Sequence, residues 1–162
     1  MPAFISTCRK PRQLTRSIAR LLSLFVGSGY ENRGKRSVAE VMSRAGGKGF
    51  SRVAFLHERH GALSSIEFYE EKAGWLPEIL EVKAAKVAES RHRVPKEMLV
   101  RASDAVGEKI AGLFAVEGSK VEGIEPDECA LELFSSEKID FFSRGELRLS
   151  LSVRLRQAEA HA

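Results

Sequence analysis

The spacing of apolar residues changes several times along the chain, and each change marks an element. Ala3 to Thr7 is a compact apolar run followed by a polar, basic loop, which reads as a short buried strand. From about Pro11 to Val26, Leu14, Ile18, Leu21, Leu22 and Phe25 recur at three- and four-residue steps, the stripe of one helix. Pro11 suits its first turn, where a missing N–H costs little, and Gly27-Ser28-Gly29 ends it. Tyr30 to Lys35 reads as a short extended segment with a turn. A second helix is expected from Ser37, with Glu40 completing a capping-box pattern. Val38, Val41, Met42 and Ala45 form its inner face, and Gly46-Gly47 stops it.

The period then shortens. Arg52 to His57 and Leu63 to Glu70 read as strands joined through Glu58-Arg59-His60-Gly61. After Trp75, Ile79 to Val87 reads as a strand, Glu89 to Lys96 as a polar connection and Met98 to Ala102 as another strand. Ser103 or Asp104 caps a helix to about Val116, with Val106, Ile110, Leu113 and Phe114 on its buried face. An acidic loop over 117–128 precedes Cys129 and strands at 130–134 and 139–142. A turn at 143–146 leads to a last strand, in which Leu147, Leu149, Leu151, Val153 and Leu155 alternate with Arg148, Ser150, Ser152, Arg154 and Arg156. Residues 157–162 read as a frayed tail. Strand, helix and paired strands occur twice, so a duplicated α/β arrangement in two sheets or one shared sheet is expected.

Composition adds an asymmetry. The 162 residues are 43% apolar and 30% charged, which fits a globular chain and not a disordered one. The net charge of +4 conceals a division: residues 1–60 hold 12 Lys/Arg against 3 Asp/Glu, and residues 61–162 hold 14 against 19. The first part is thus +9 and the second −5, a balance that points the first part at a phosphate backbone or an acidic protein. No apolar stretch is long enough to span a bilayer or serve as a signal-peptide core. Cys8 and Cys129 are far apart and without companion ligands, which fits a reducing compartment, and the cytoplasm is expected.

The charge has direction. Arg12, Arg16 and Arg20 step by four residues and, at roughly 100° per residue, lie opposite the expected apolar stripe. The row is all arginine, whose planar fork binds phosphate through two bonds, and no acid occurs in residues 1–30. A second cluster, Arg33-Gly34-Lys35-Arg36, precedes the helix start at Ser37, where backbone N–H groups favour an anion. Tyr30, Phe4 and Phe50 lie near these cations in sequence and suit base stacking or the core equally.

Catalytic and metal patterns fail by comparison. Gly46-Gly47-Lys48-Gly49 lacks both the upstream Gly and the downstream Ser/Thr of a phosphate loop. His57 and His60 are three residues apart, not four, on a strand and turn; with Arg59 they extend a basic surface instead of binding metal. Flanking cations could lower the Cys8 pKa, but no base stands beside it in a recognisable motif. Neither a metal nor a cofactor is expected.

Ser6-Thr7-Cys8-Arg9-Lys10-Pro11, Thr15-Arg16, Tyr30-Glu31-Asn32-Arg33-Gly34-Lys35 and Glu58-Arg59-His60-Gly61, in that order, resemble the Brix domain of ribosome-biogenesis proteins, in particular its short archaeal members. The match is densest over residues 4–70; beyond 75 it is mainly an order of elements. Cys8 stands where the family commonly has Ser, and the Pro usual after the Glu58–Gly61 turn is absent at Ala62-Leu63. The resemblance implies one Brix domain over 1–162, with similar α/β halves at about 1–75 and 76–157. Each half would be like the anticodon-binding domain of class IIa aminoacyl-tRNA synthetases, with mixed sheets flanked by helices. It also implies a non-enzymatic factor that binds ribosomal RNA or a pre-ribosomal particle, with other assembly proteins as partners. Carried across by position, the RNA contacts are Arg9, Lys10, Arg12, Arg16, Arg33, Lys35 and Arg59. Helix geometry adds Arg20, and the cluster before Ser37 adds Arg36. The competing reading is a protein-interaction adaptor that uses its basic and acidic halves without touching RNA.

Overall fold

The computed structural model describes residues 2–88, 94, 98–114 and 130–158. The expected connection at 89–96 falls almost wholly outside them. So do Val116, the acidic loop at 117–128, Cys129 and the tail from 159. Among the described residues, nine strands form one continuous sheet and not two. In chain order the elements are β1 (Phe4–Thr7), α1 (Gln13–Val26), β2 (Tyr30–Glu31), α2 (Val38–Gly47), β3 (Arg52–Arg59) and β4 (Ala62–Glu70). Then come β5 (Gly74–Val87), β6 (Met98–Ala102), α3 (Ala105–Leu113), β7 (Ala130–Phe134), β8 (Lys138–Ser143) and β9 (Glu146–Gln157). The sheet order is β2-β1-β3-β4-β5-β9-β8-β7-β6.

Two parallel pairings, β2 and β3 on β1, give way to an antiparallel meander through β5, and β6 parallel to β7 gives way to a second through β9. The long contact between β5 and β9 joins these runs. The apolar pattern predicts a strand over Ile79 to Val87, but β5 begins earlier, at Gly74, because Trp75 pairs with Tyr69 of β4. Both short hairpins turn on residues with positive φ, His60-Gly61 and Arg144-Gly145, which match the twist of the flanking strands.

Successive parallel crossovers run to opposite sides of β1, which places α1 and α2 on opposite faces. Side-chain alternation agrees. Ile5, Ala54 and Leu56 pack with Ile18 and Leu22 of α1, whereas Phe4, Val53 and Phe55 pack with Val41, Met42 and Ala45 of α2. Helix α3 shares the α1 side, where Phe25 lies 5.0 Å from Phe141, so one core serves both parts of the sheet.

The helices depart from the expected faces. Helix α1 begins after Arg12, two residues later than Pro11 suggests. Its buried set is Thr15, Ile18, Ala19, Leu22, Ser23, Phe25 and Val26, and Leu14 is 54% exposed. At roughly 100° per residue, the buried face is turned about 70° toward the arginines. Small residues at 15, 19 and 23 allow this approach to the sheet. Arg12, Arg16 and Arg20 therefore flank the buried face instead of opposing it. Helix α2 runs through Gly46-Gly47 and ends at Lys48, not before the glycines. On α3, Val106 is exposed and Gly107 is buried, because the helix lies so close to β7 that a Cβ on Gly107 would come within 2.5 Å of the Phe134 carbonyl oxygen.

Arg52 ties the two runs together. Its guanidinium pairs with Glu70 and donates to the carbonyls of Gly112 (2.9 Å) and Leu113 (2.8 Å) at the end of α3. Helix C-termini leave such carbonyls without intrahelical partners. Arg52→Met is expected to cost about 2 kcal/mol, lowering the thermal midpoint by roughly 4–8 °C; a calorimetric midpoint within a degree or so of the parent would contradict this joint. Glu132, in the middle of β7, is buried with neither carboxyl oxygen hydrogen-bonded. Desolvation by burial pushes its pKa up to about 9, so it folds as the neutral acid.

Candidate nucleic-acid interface

In parallel βα units the loops after the strands and the N-termini of the following helices share one edge of the sheet, the usual place for a ligand. Here that edge carries residues 8–12 after β1, 32–37 after β2 and the end of β3. Arg9, Lys10, Arg33, Lys35, Arg36 and Arg59 all lie on it, and Arg12 is the residue capping α1. The Arg12 guanidinium packs on Gly61, whose positive φ and missing Cβ admit it: a Cβ there would meet the guanidinium carbon at 2.6 Å. Arg16 and Arg20 continue the cationic row down α1 beside the edge strand β2, where their charges act on Tyr30. Burial dominates there and raises the Tyr30 pKa, and its hydroxyl donates to Asn32.

The rim is braced from within. The Arg33 backbone N–H donates to Thr7 Oγ1 (3.4 Å) and its Nε to the Arg36 carbonyl (2.9 Å), while Arg36 donates to the Asn32 carbonyl (3.4 Å). Guanidinium has five N–H donors in a fixed fork, so these bonds orient the arginines and leave donors to point outward. By contrast, Arg44 of α2 and Lys48, which caps its end, are both paired with Glu31, so that pair of cations is offset locally.

Glu58 is the residue that sequence reasoning missed. Its carboxylate accepts from the Arg12 backbone N–H (3.1 Å) and the Thr15 hydroxyl (2.7 Å), and the Cys8 thiol points at it from 3.8 Å. It thus occupies the start of α1, where an anion is favoured. The fixed place of Glu58 beside Arg59-His60-Gly61 is its only sequence signal. The start of α2 is closed as well. The Ser37 hydroxyl accepts from the Glu40 backbone N–H (3.1 Å), and Glu40 returns the bond to the Ser37 N–H (3.5 Å). The capping box forms as expected and engages the Ser37 and Glu40 N–H groups at that helix start.

His57 and His60 separate. His60 is exposed in the turn, whereas His57 faces the far side of the sheet, 3.3 Å from Glu67 and beside Phe55 and Trp75. Burial lowers the His57 pKa, with Glu67 opposing, so it does not extend the basic surface as expected. Cys8 also reverses its expectation: burial, then Glu58, raises its thiol pKa. Phe4 is buried against Phe50, and so belongs to the core. No group of at least 3 His, Cys, Asp or Glu placed to hold a metal ion occurs among the described residues, and none of their helices is long and apolar enough to cross a membrane.

Sheet order and rim together define a mixed α/β protein with a cationic edge on its parallel strands. Two solved structures share the fold. The archaeal Imp4-like protein Mil is 24% identical at a TM-score of 0.74, over 96% of this chain and 99% of that one. A probable ribosomal biogenesis protein from Aeropyrum pernix K1 is 17% identical, also at 0.74, over 99% and 97%. In sequence, the chain is 39% identical over 95 residues to a probable Brix domain-containing ribosomal biogenesis protein of Methanothermobacter thermautotrophicus. The aligned region is 56% of this chain and 59% of that relative's length. No protein-family model matches. The resemblance read from the motifs therefore holds: the chain is a relative of a Brix domain-containing protein and has the fold of archaeal Imp4-like proteins.

Proposed function

We propose that the protein is a ribosome-biogenesis factor that binds ribosomal RNA through the cationic rim and acts by holding RNA segments during processing and subunit assembly, without catalysing a reaction. The observation that carries this reading is the convergence of Arg9, Lys10, Arg12, Arg33, Lys35, Arg36 and Arg59 on one sheet edge, extended along α1 by Arg16 and Arg20. The names of its relatives supply the ribosomal context. The partner is then ribosomal RNA or a pre-ribosomal particle with its assembly proteins, met in the cytoplasm. The reading takes residues 1–162 as one Brix domain, with halves of about 1–75 and 76–157. The repeated order of parallel pair and meander supports comparing each half with the anticodon-binding domain of class IIa aminoacyl-tRNA synthetases.

With about five phosphates neutralised, log affinity for structured ribosomal RNA should fall against log salt with a slope of roughly −3.5 to −4.5. Filter binding across a salt series measures it. A slope near zero would remove the rim as an RNA interface.

A further inference from the structure

Trp75 is the single tryptophan of the chain, and it is 45% exposed although it begins a strand. Its ring lies 5.2 Å from Tyr69, 5.5 Å from Phe55 and 6.4 Å from His57. Phe55 fixes it from below, because Phe55 belongs to the packed layer under α2. The indole is therefore supported by an aromatic floor, with about half its surface open.

The surroundings are cationic in one direction. His57 lies 6.4 Å from Trp75 and 3.3 Å from Glu67, and the Arg33 charge of the rim opposes its protonation. Ser65 pairs with His57 across β3 and β4, and lines a cavity of about 420 Å³ with Arg59, Lys83, Arg156 and the acid Glu81. Of these, Arg156 pairs with Glu81, while Arg59 and Lys83 are exposed. The cavity thus lies toward the rim end of β5, and Trp75 lies further back along the strand, level with Tyr69 and Val53.

We infer that Trp75 is a base-stacking position, and that the segment recognised next to the rim is single-stranded RNA. The inference rests on the RNA-binding reading above and adds to it the form of the RNA. A duplex hides its base faces, whereas an unpaired nucleotide offers one to an aromatic ring while its phosphates meet arginine. The His57 ring lies beside the indole, with centroids 6.4 Å apart.

Because no other tryptophan contributes, indole emission reports this position alone. The full chain is titrated with a short oligouridylate and, separately, with a blunt RNA duplex, following emission and the anisotropy of labelled RNA. Oligouridylate should quench emission at the concentrations that raise anisotropy, and the duplex should bind with little quenching. Trp75→Ala should weaken oligouridylate binding by roughly 5- to 100-fold and leave duplex affinity and salt slope unchanged. Trp75→Phe, which keeps a ring over Phe55, should retain most of the affinity. Salt-dependent RNA binding with unchanged emission and a neutral Trp75→Ala would overturn the stacking site alone, assigning the exposed indole to a protein partner or to packing. Failure of both RNAs to bind at any salt would overturn the RNA-binding reading and this inference together.

Discussion

Glu132→Leu is expected to raise stability at neutral pH by about 3 kcal/mol and to remove a pH dependence that the parent protein carries. The carboxyl is buried in the middle of β7, without a hydrogen-bond partner, and burial holds its pKa at about 9 against an ordinary 4.5. A raised folded-state pKa means that the native state binds more protons than the unfolded chain between these values. Stability is therefore complete below about pH 4.5 and is lost as pH rises toward 9. At pH 7 the unfolded chain gains about 3 kcal/mol by ionising this group. Leucine is of similar size, so the swap removes the ionisable group without opening a large cavity. Denaturant midpoints for both proteins at several pH values measure the difference. Parallel midpoint curves would show that Glu132 does not fold neutral. Asp104 and Glu31 work in the opposite sense. The Gly107 and Ser136 backbone N–H groups hold Asp104 low, and Arg44 does so for Glu31, so their contributions fade as pH falls. Comparing the variant with the parent cancels both.

The second large effect is on binding. Arg16→Glu combined with Arg20→Glu should weaken ribosomal RNA binding by at least about 50-fold at 0.1 M salt. Each lost phosphate contact removes roughly 0.7–0.9 from log affinity per decade of salt below 1 M, and the new acids add repulsion. The salt slope should become shallower by about 1.4–1.8. These positions are preferred over Arg12, because the Arg12 guanidinium lies on Gly61 and its backbone N–H is held by Glu58. Arg16 and Arg20 are exposed, so the variant should keep the parent's circular dichroism. Unchanged RNA affinity with a normal fold would move the interface away from α1.

The features of the fold that are legible in the amino-acid sequence are local ones. The capping box at Ser37 and Glu40 forms as spaced, since cap and partner lie within one helical turn. The alternation from Leu147 to Leu155 places Leu149, Leu151 and Val153 in the core, since a strand must turn alternate side chains to one face. The α1 stripe misleads because apolarity alone assigns Leu14 to the core. Thr15 goes inside instead, drawn by a carboxylate 43 positions away in sequence. Val106 is misplaced for a related reason: at Gly107 the absence of a side chain, which a hydrophobic pattern cannot register, allows α3 to meet β7.

The candidate interface divides in the same way. The excess of arginine in residues 1–60, its four-residue step and the motif order are properties of the chain itself. They suffice to indicate an anionic partner and the Brix resemblance. Three matters depend on the fold. Parallel pairing of β1 with β2 and β3 gathers loops far apart in sequence onto one edge. Glu58, 46 positions from Arg12, reaches the start of α1 and accepts from the Arg12 N–H. Pairing of β5 with β4 brings Trp75 over Phe55 and beside His57. The physical reason is one of range. Charge and periodicity are set by neighbours along the chain, whereas convergence, capping by a distant carboxylate and exposure of a ring are set by contacts that form only when the sheet closes.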